Sequence, residues 1–81
     1  MSSFEGKTAL LTGAAGGIGR ATAITLAERG CTLVLVDNNR TGLDELVAEL
    51  PAGTSHLAIT ADVSSESDVE RVFAEARARF G

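Results

Sequence analysis

Four glycines follow an apolar run near the start of the chain, within the sequence TALLTGAAGGIGRATA at residues 8–23. Gly13, Gly16, Gly17 and Gly19 fall within seven positions, and a helical pattern follows them. The first N–H groups of a helix lack intrahelical partners and carry about half a positive charge. Glycines let such a backbone come close to an anion, for example a pyrophosphate. The loop is therefore predicted to bind phosphate groups.

The spacing of the glycines indicates which kind of phosphate-binding loop the sequence could form. Gly13 suits a sharp turn, Gly17 a close approach to a ligand, and Gly19 close packing of helix on strand. The spacing G-x-x-x-G-x-G differs from the general dinucleotide fingerprint G-x-G-x-x-G, and no Lys follows as in a Walker loop. A nucleoside triphosphatase is therefore disfavoured. The alternative is that the glycines only close a tight strand-to-helix turn.

An acidic residue ends the second apolar run, TLVLVD at residues 32–37. Asp37 stands 18 positions after Gly19, close to the spacing of about 20 expected for an acid that binds a ribose. Its carboxylate can accept from two ribose hydroxyls and repels a 2′-phosphate, which predicts NAD rather than NADP as the cofactor. Two alternatives remain: Arg40 could reach a 2′-phosphate, and Asp37 could be a turn or helix-cap acid.

Three short apolar runs must position these residues. The runs at residues 8–12, 32–37 and 56–60 have the length and β-branched content of strands buried on both faces. Helical patterns separate them, so the order is β-α-β-α-β-α, with right-handed parallel crossovers. This predicts an α/β fold of three layers, one half of a doubly wound parallel sheet. Residues 1–81 contain no internal repeat or linker and are predicted to form a single domain.

Each predicted helix has an apolar face. The first spans residues 17–29, stops at Gly30, and is predicted to bury Ile18, Ala21, Ile24 and Ala27. The second, ending at Pro51 and Gly53, is predicted to bury Leu43, Leu46, Val47 and Leu50. The third opens with a capping box from Ser65 to Asp68 and has an apolar stripe of Val69, Val72, Phe73, Ala76 and Phe80.

Composition excludes several classes of function. The 81 residues are 44% hydrophobic and 22% charged, as in an ordinary globular domain. The net charge of −4 and the absence of a basic run disfavour nucleic acid and anionic membranes as partners. The single Cys31 has no disulfide partner or metal-ligand spacing, and the N-terminal MSSFEGK lacks a signal-peptide core. A cytoplasmic protein without a metal site or membrane span is expected.

The segment TGAAGGIG at residues 12–19 resembles the T-G-x-x-x-G-I-G signature of short-chain dehydrogenases/reductases, and VD at 36–37 and ADV at 61–63 are similar to later segments of that family. The resemblance implies a Rossmann fold with strand order 3-2-1. It also implies a site in which Gly13, Gly17, Ile18 and Gly19 line the pyrophosphate, Asp37 holds the adenosine ribose, and Asp62 with the backbone of Val63 contacts adenine. From the residues alone, Asp62 is equally a turn residue before the third helix.

The family's catalytic Tyr-x-x-x-Lys pair and Ser are not found, since the chain has no Tyr and its one Lys, Lys7, precedes the first strand. His56 is predicted to be structural and Cys31 a small buried hydrophobe, so no catalytic residue is assigned. The resemblance implies the NAD-binding N-terminal part of an enzyme that transfers hydride between nicotinamide and a carbonyl or alcohol. This chain alone is expected to be inactive. The alternative is a non-catalytic interaction or assembly module that binds nucleotide weakly or not at all.

In the family's strand order the first strand has a fourth strand beside it, so here one of its edges is expected to be bare. Neither Pro nor a central charge protects residues 8–12 from edge-to-edge pairing. A two-fold dimer that pairs the first strands of two chains would form a sheet of six strands. The sequence therefore predicts a homo-oligomer formed through this strand.

Overall fold

The computed structural model describes residues 4–51 and 55–81. Gly53, predicted to help end the second helix, lies outside the described residues. The elements in chain order are β1 Thr8–Thr12, α1 Gly17–Glu28, β2 Thr32–Asp37, α2 Arg40–Glu49, β3 Leu57–Thr60 and α3 Glu66–Phe80. This confirms the predicted βαβαβα arrangement of an α/β fold.

The three strands form one parallel sheet with the order β1-β2-β3. Thr8 of β1 lies opposite Thr32 of β2, and Val34 of β2 lies opposite Leu57 of β3. The central strand β2 is buried from residue 33 to residue 36, as its unbroken apolar run predicts. All three strands therefore end at the same edge of the sheet.

Alternate residues of β2 supply two separate cores. Leu33 and Leu35 pack on one face of the sheet against buried residues of α1 and α2. Val34 and Val36 pack on the other face against Val72 of α3. Helices on both faces give the three predicted layers, because successive strand side chains point in opposite directions.

The buried face of α1 differs from the predicted one. Ile18 is 87% exposed and Ala21 is exposed, whereas Ala23 and Ala27 are buried. A Cβ on Gly19 would lie 2.3 Å from the carbonyl oxygen of Gly13, just after β1. The side of α1 that carries residue 19 therefore faces the sheet. Ala23 and Ala27 follow Gly19 at intervals of four and lie on that side. The close backbone contact, rather than the size of Ile18, sets the rotation of the helix.

Two other predicted core residues are partly exposed. In α2, Leu43 and Leu46 are fully buried but Val47 is 43% exposed. In α3, Val72 is buried whereas Phe73 is 54% exposed. Each helix covers the narrow sheet with a thin stripe, so the residue beside that stripe faces outward. The predictions of Val47 and Phe73 as core residues were wrong for this reason.

The predicted capping box of α3 forms only in part. The Ser65 hydroxyl accepts a hydrogen bond from the Asp68 N–H at 3.4 Å, which caps the helix as predicted. The Asp68 carboxylate does not return to Ser65. It accepts instead from the N–H of Asp62, at 2.9 Å. This side chain therefore fixes the segment between β3 and α3.

His56 was predicted to be the first residue of the third strand, but β3 begins at Leu57 and His56 immediately precedes it. Its Nδ1 accepts a hydrogen bond from the N–H of Leu33 in β2, at 2.9 Å. The proton of the neutral ring is therefore on Nε2, which is buried and finds no partner among the described residues. Burial lowers the pKa of His56 below its ordinary value of 6.5. The contact gives His56 a structural role at the edge opposite to the glycine loop.

We expect Gly19→Ala to destabilise the fold, because its Cβ would meet the backbone of Gly13 and Ala14. The free energy of unfolding should fall by about 2 kcal/mol, which for a domain of this size lowers Tm by roughly 10 °C. Gly17→Ala is the matched control, since a Cβ there meets nothing within 4 Å. Thermal melts followed by circular dichroism compare the two. Equal Tm values would contradict the close approach at Gly19.

We expect acid to weaken the fold through His56. Because its pKa is lowered in the folded chain, the unfolded chain binds the proton first as pH falls below about 6.5. The free energy of unfolding should therefore decrease between pH 7 and pH 5, by less than about 1.4 kcal/mol per pH unit. His56→Gln keeps a carbonyl acceptor that does not titrate. Urea unfolding at several pH values should show a smaller decrease for this variant, and identical decreases would contradict the assignment.

Candidate functional site

The residues that follow the three strands meet at one edge of the sheet. The glycine loop at residues 13–16 follows β1, Asp37 is the last residue of β2, and residues 61–63 follow β3. They surround a cavity of about 140 Å³ lined by Gly13, Asp37, Asn38, Ala61, Asp62 and Val63. Ligands of open α/β sheets bind outside the carboxyl ends of the strands. This cavity is therefore the candidate site.

Four of the seven residues predicted for the site line this cavity: Gly13, Asp37, Asp62 and Val63. The other three, Gly17, Ile18 and Gly19, do not line it and form the first turn of α1. The structure thus gives the site two parts, a cavity between the ends of the strands and the N-terminus of a helix. Gly13 lies in the loop that connects them.

The glycine loop is held by backbone hydrogen bonds. Gly13 has a φ of +64°, in the region that residues with a Cβ rarely adopt. The turn brings the N–H of Ala14 to the carbonyl of Val36 at 3.1 Å, and the N–H of Gly16 to the carbonyl of Gly13 at 3.1 Å. Ala14 is completely buried. The loop therefore has one defined conformation, which positions the start of α1.

The N-terminus of α1 has no protein cap among the described residues. Its N-cap is Gly16, which has no side chain to accept a hydrogen bond, and no acidic residue lies in the first turn. The first intrahelical bond runs from Arg20 N–H to the carbonyl of Gly16 at 2.8 Å. The N–H groups of Gly17, Ile18 and Gly19 precede it and have no acceptor within the described part of the chain. Together with the helix dipole they favour an anion.

Asp37 already makes two hydrogen bonds within the chain. Its Oδ2 accepts from the N–H of Ala15 at 2.9 Å, and its Oδ1 accepts from the N–H of Asn39 at 2.9 Å. The first bond ties the glycine loop to the end of β2. Each carboxylate oxygen can accept a further bond, so the half-buried side chain can still accept from ribose hydroxyls. The sequence predicted the carboxylate at this place but not its bond to the loop.

The Asp62 carboxylate is held by hydrogen bonds from Ser64, two residues further along the chain. Its Oδ1 accepts from the Ser64 hydroxyl at 2.6 Å and from the Ser64 N–H at 2.9 Å. These bonds lower the pKa of Asp62, the hydroxyl bond more than the N–H bond, so the carboxylate is ionised at neutral pH. The turn role that the sequence allowed for Asp62 is therefore present. Contact of Asp62 and Val63 with adenine stays a prediction.

Arg40 is engaged by its own helix. Its Nε lies 3.1 Å from Oδ1 of Asp44, one turn further along α2. Both side chains are largely exposed, so the pair is weak and an anion could compete for the guanidinium. To bind a 2′-phosphate, the Arg40 side chain would therefore first have to break its ion pair with Asp44.

Two residues that sequence reasoning missed join α2 to the glycine loop. The side chain of Asn39 caps α2 by accepting from the N–H of Gly42 at 3.0 Å. Gly42 is buried, and a Cβ there would lie 2.8 Å from the Cβ of Ala15. Asn is a preferred N-cap residue, so this helix start could have been found from the sequence. The contact with Ala15 joins positions far apart in the chain and has no local signal.

The remaining reactive side chains lie elsewhere. Lys7 precedes β1 and His56 precedes β3, at the edge opposite to the candidate site. Cys31 is buried, with its thiol 3.5 Å from the carbonyl oxygen of Thr32. Within residues 4–51 and 55–81 no group of three or more His, Cys, Asp and Glu is arranged to hold a metal ion. In the same residues, no helix has the length and apolar character needed to span a bilayer.

Comparison with known proteins identifies the family. The family model for short chain dehydrogenases matches residues 7–81. The chain is 44% identical over 78 residues to a 1,6-dihydroxycyclohexa-2,4-diene-1-carboxylate dehydrogenase of Pseudomonas putida, covering 96% of this chain and 29% of that protein. It is 44% identical over 66 residues to an NADPH-dependent pterin aldehyde reductase of Arabidopsis thaliana, covering 82% of this chain and 27% of that protein.

Solved structures give the same result. A 3-ketoacyl-(acyl-carrier-protein) reductase from Brucella melitensis, crystallised with NADH, superposes with a TM-score of 0.88 at 38% identity, over 98% of this chain and 32% of that one. The chain thus spans less than a third of the length of the relatives described here. The match covers the glycine loop, Asp37 and the segment after β3. The chain belongs to the short-chain dehydrogenase/reductase family.

Proposed function

We propose that this chain forms the adenosine-binding half of a NAD(H) site in an oxidoreductase. The observation that carries the proposal is that the uncapped N-terminus of α1 and the carboxylate of Asp37 belong to one site, joined by the bond from Ala15 to Asp37. The donors suit a pyrophosphate and the carboxylate suits a diol. A Cβ on Gly17 would point into open space, which leaves room for a ligand against the backbone.

The two parts of the site would divide the cofactor between them. The backbone of Gly13, Gly17, Ile18 and Gly19 would hold the pyrophosphate, Asp37 the adenosine ribose, and Asp62 and Val63 the adenine ring. When bound, the nicotinamide ring of the cofactor supplies or accepts a hydride. In the intact protein this hydride would pass to or from a carbonyl or alcohol substrate. The chain has no Tyr to act as the family's acid, so its own contribution is binding and orientation.

NAD is favoured over NADP by charge. A 2′-phosphate on the adenosine ribose would lie beside the Asp37 carboxylate, and two neighbouring negative charges repel each other. Arg40, three residues after Asp37, could compensate for a 2′-phosphate, but its side chain is paired with Asp44. The relatives include both an NADPH-dependent reductase and a reductase crystallised with NADH, so family membership alone leaves the choice open. The proposal therefore rests on Asp37.

The surroundings proposed for the protein follow from its composition. The acidic net charge and the lack of a basic run oppose binding to nucleic acid or to anionic membranes. A single cysteine that is buried and unpaired suits the reducing cytoplasm. A purely structural interaction module is not favoured, because the match to dehydrogenases and reductases extends through the proposed cofactor residues.

Calorimetric titration with NAD, NADP and AMP tests the cofactor proposal. We expect saturable binding of NAD, at least about tenfold tighter than NADP, a difference of 1.4 kcal/mol. Asp37→Asn removes the charge and one of the two acceptor oxygens, so NAD should bind more weakly and its preference over NADP should narrow. Glu45→Gln, at an exposed acid of α2, is the control for a general change in charge. Absence of saturable heat with all three ligands would overturn the proposal.

A second prediction separates the phosphate site from the fold. Gly17→Ala adds a methyl group that meets no protein atom within 4 Å, so Tm should be unchanged or slightly raised. The same methyl group would occupy the space where the pyrophosphate meets the backbone, so NAD affinity should fall at least about tenfold, by more than 1.4 kcal/mol. Calorimetry and thermal melts on the same sample measure both. Unchanged affinity in a folded variant would place the pyrophosphate elsewhere.

A further inference from the structure

Asp62, in the segment after β3, is held by hydrogen bonds from the start of α3 and the residues just before it. Its N–H donates to Oδ2 of Asp68 at 2.9 Å, and its carbonyl accepts from the N–H of Ser65 at 2.9 Å. Its Oδ1 accepts from the hydroxyl of Ser64 at 2.6 Å and from the Ser64 N–H at 2.9 Å. Within the described part of the chain, Oδ2 is the one polar atom of Asp62 without a partner. Asp62 therefore keeps a single free acceptor in a fixed orientation.

The capping box of α3 is open because both of its backbone partners turn to Asp62. In a complete box, the acid at the third helical position accepts from the N–H of the N-cap residue, which here would join Asp68 to Ser65. The Ser65 N–H donates instead to the Asp62 carbonyl, which leaves the Asp68 carboxylate to accept from the Asp62 N–H. Asp68 is half-buried, and a hydrogen bond to a charged acceptor is stronger than one between neutral groups. The start of α3 therefore holds the segment that precedes it.

Arg71 connects the Asp68 carboxylate to the end of β3. Its Nη2 donates to the carbonyl of Thr60 at 2.8 Å and lies 3.8 Å from Oδ1 of Asp68. Thr60 is the last residue of β3, so the guanidinium bridges the strand and the carboxylate that holds Asp62. Neither Arg71 nor Asp68 lines the candidate cavity. Side chains outside the cavity therefore set the position of Asp62 at its wall.

The free groups of this segment match one kind of purine. The bonds from Ser64 hold the pKa of Asp62 below its ordinary value, so Oδ2 belongs to an ionised carboxylate and can only accept. The N–H of Val63 can only donate, and it has no acceptor among the described residues. Both Asp62 and Val63 line the cavity. A 6-aminopurine has a donating amino group beside an accepting ring nitrogen, whereas a 6-oxopurine has an accepting oxygen in place of the amino group.

We infer that Asp68 and Ser64 are positioning residues that give the site its selectivity for a 6-aminopurine base. Asp68 acts through the N–H of Asp62 and Ser64 acts through the Asp62 carboxylate, so neither has to touch the ligand. Without these bonds the free acceptor would lose its fixed orientation, and the preference for an amino group would be lost with it. The inference rests on the proposed function, because it takes a purine as the group bound beside Asp62 and Val63.

Calorimetric titration with AMP and inosine monophosphate (IMP) tests the inference, because the two nucleotides share the same ribose and phosphate. The wild type should bind AMP at least about tenfold more tightly than IMP. Asp68→Ala should reduce this preference at least about fivefold, whereas Asp68→Asn keeps an oxygen acceptor and should retain most of it. Glu66→Ala removes an exposed acid from the same turn of α3 and should leave the preference unchanged. A loss of stability alone would weaken both nucleotides equally and leave their ratio unaltered.

Two further measurements address the bonds to Asp62 separately. Ser64→Ala should lower the preference for AMP, whereas Ser64→Thr, which keeps the hydroxyl, should retain it. In the chain without ligand, nuclear magnetic resonance should show the Asp62 amide proton moving upfield in Asp68→Ala, because its bond to a carboxylate is lost. The same resonance should not move in Glu66→Ala.

The outcomes separate this inference from the proposed function. A wild type that binds AMP and IMP equally would overturn the inference while leaving the ribose and pyrophosphate parts of the proposed site intact. So would an AMP preference, or an Asp62 amide resonance, that responds to Asp68→Ala no more than to Glu66→Ala. A wild type that binds neither nucleotide would overturn the proposed function, and the inference with it.

Discussion

The backbone of α1 meets the end of β1 so closely at Gly19 that no side chain fits between them. This contact fixes the rotation of α1, which buries Ala23 and Ala27 and leaves Ile18 exposed. It also fixes the direction of the free N–H groups in the first turn, since these groups precede the first intrahelical bond. Fold and proposed phosphate site therefore depend on the same close approach.

Asp37 links this helix start to the rest of the sheet edge. Its carboxylate holds the N–H of Ala15 in the loop and the N–H of Asn39 before α2. In turn, Asn39 caps α2, and Gly42 packs against Ala15. The residue proposed to hold the ribose thus also shapes the loop proposed to hold the pyrophosphate. Such double use preorganises a site, because the binding groups are oriented before the ligand arrives.

The two faces of the sheet are covered to different extents. α1 and α2 together enclose one core, with Leu33 and Leu35 at its centre. On the other face the described part of the chain supplies only α3, on which Phe73 is 54% exposed.

The sequence by itself determined the order of the elements, the class of fold and the position of the glycine loop before α1, because these depend on local patterns of apolar residues, glycines and caps. It also placed Asp37 correctly at the end of β2. It could not predict that Ile18, Val47 and Phe73 are exposed, since periodicity gives the spacing of a helix face but not its rotation against a sheet. Only the tertiary structure decided the bond between Ala15 and Asp37 and the contact between Gly42 and Ala15. These join residues distant in the chain, and their partners are chosen by how closely the backbones pack.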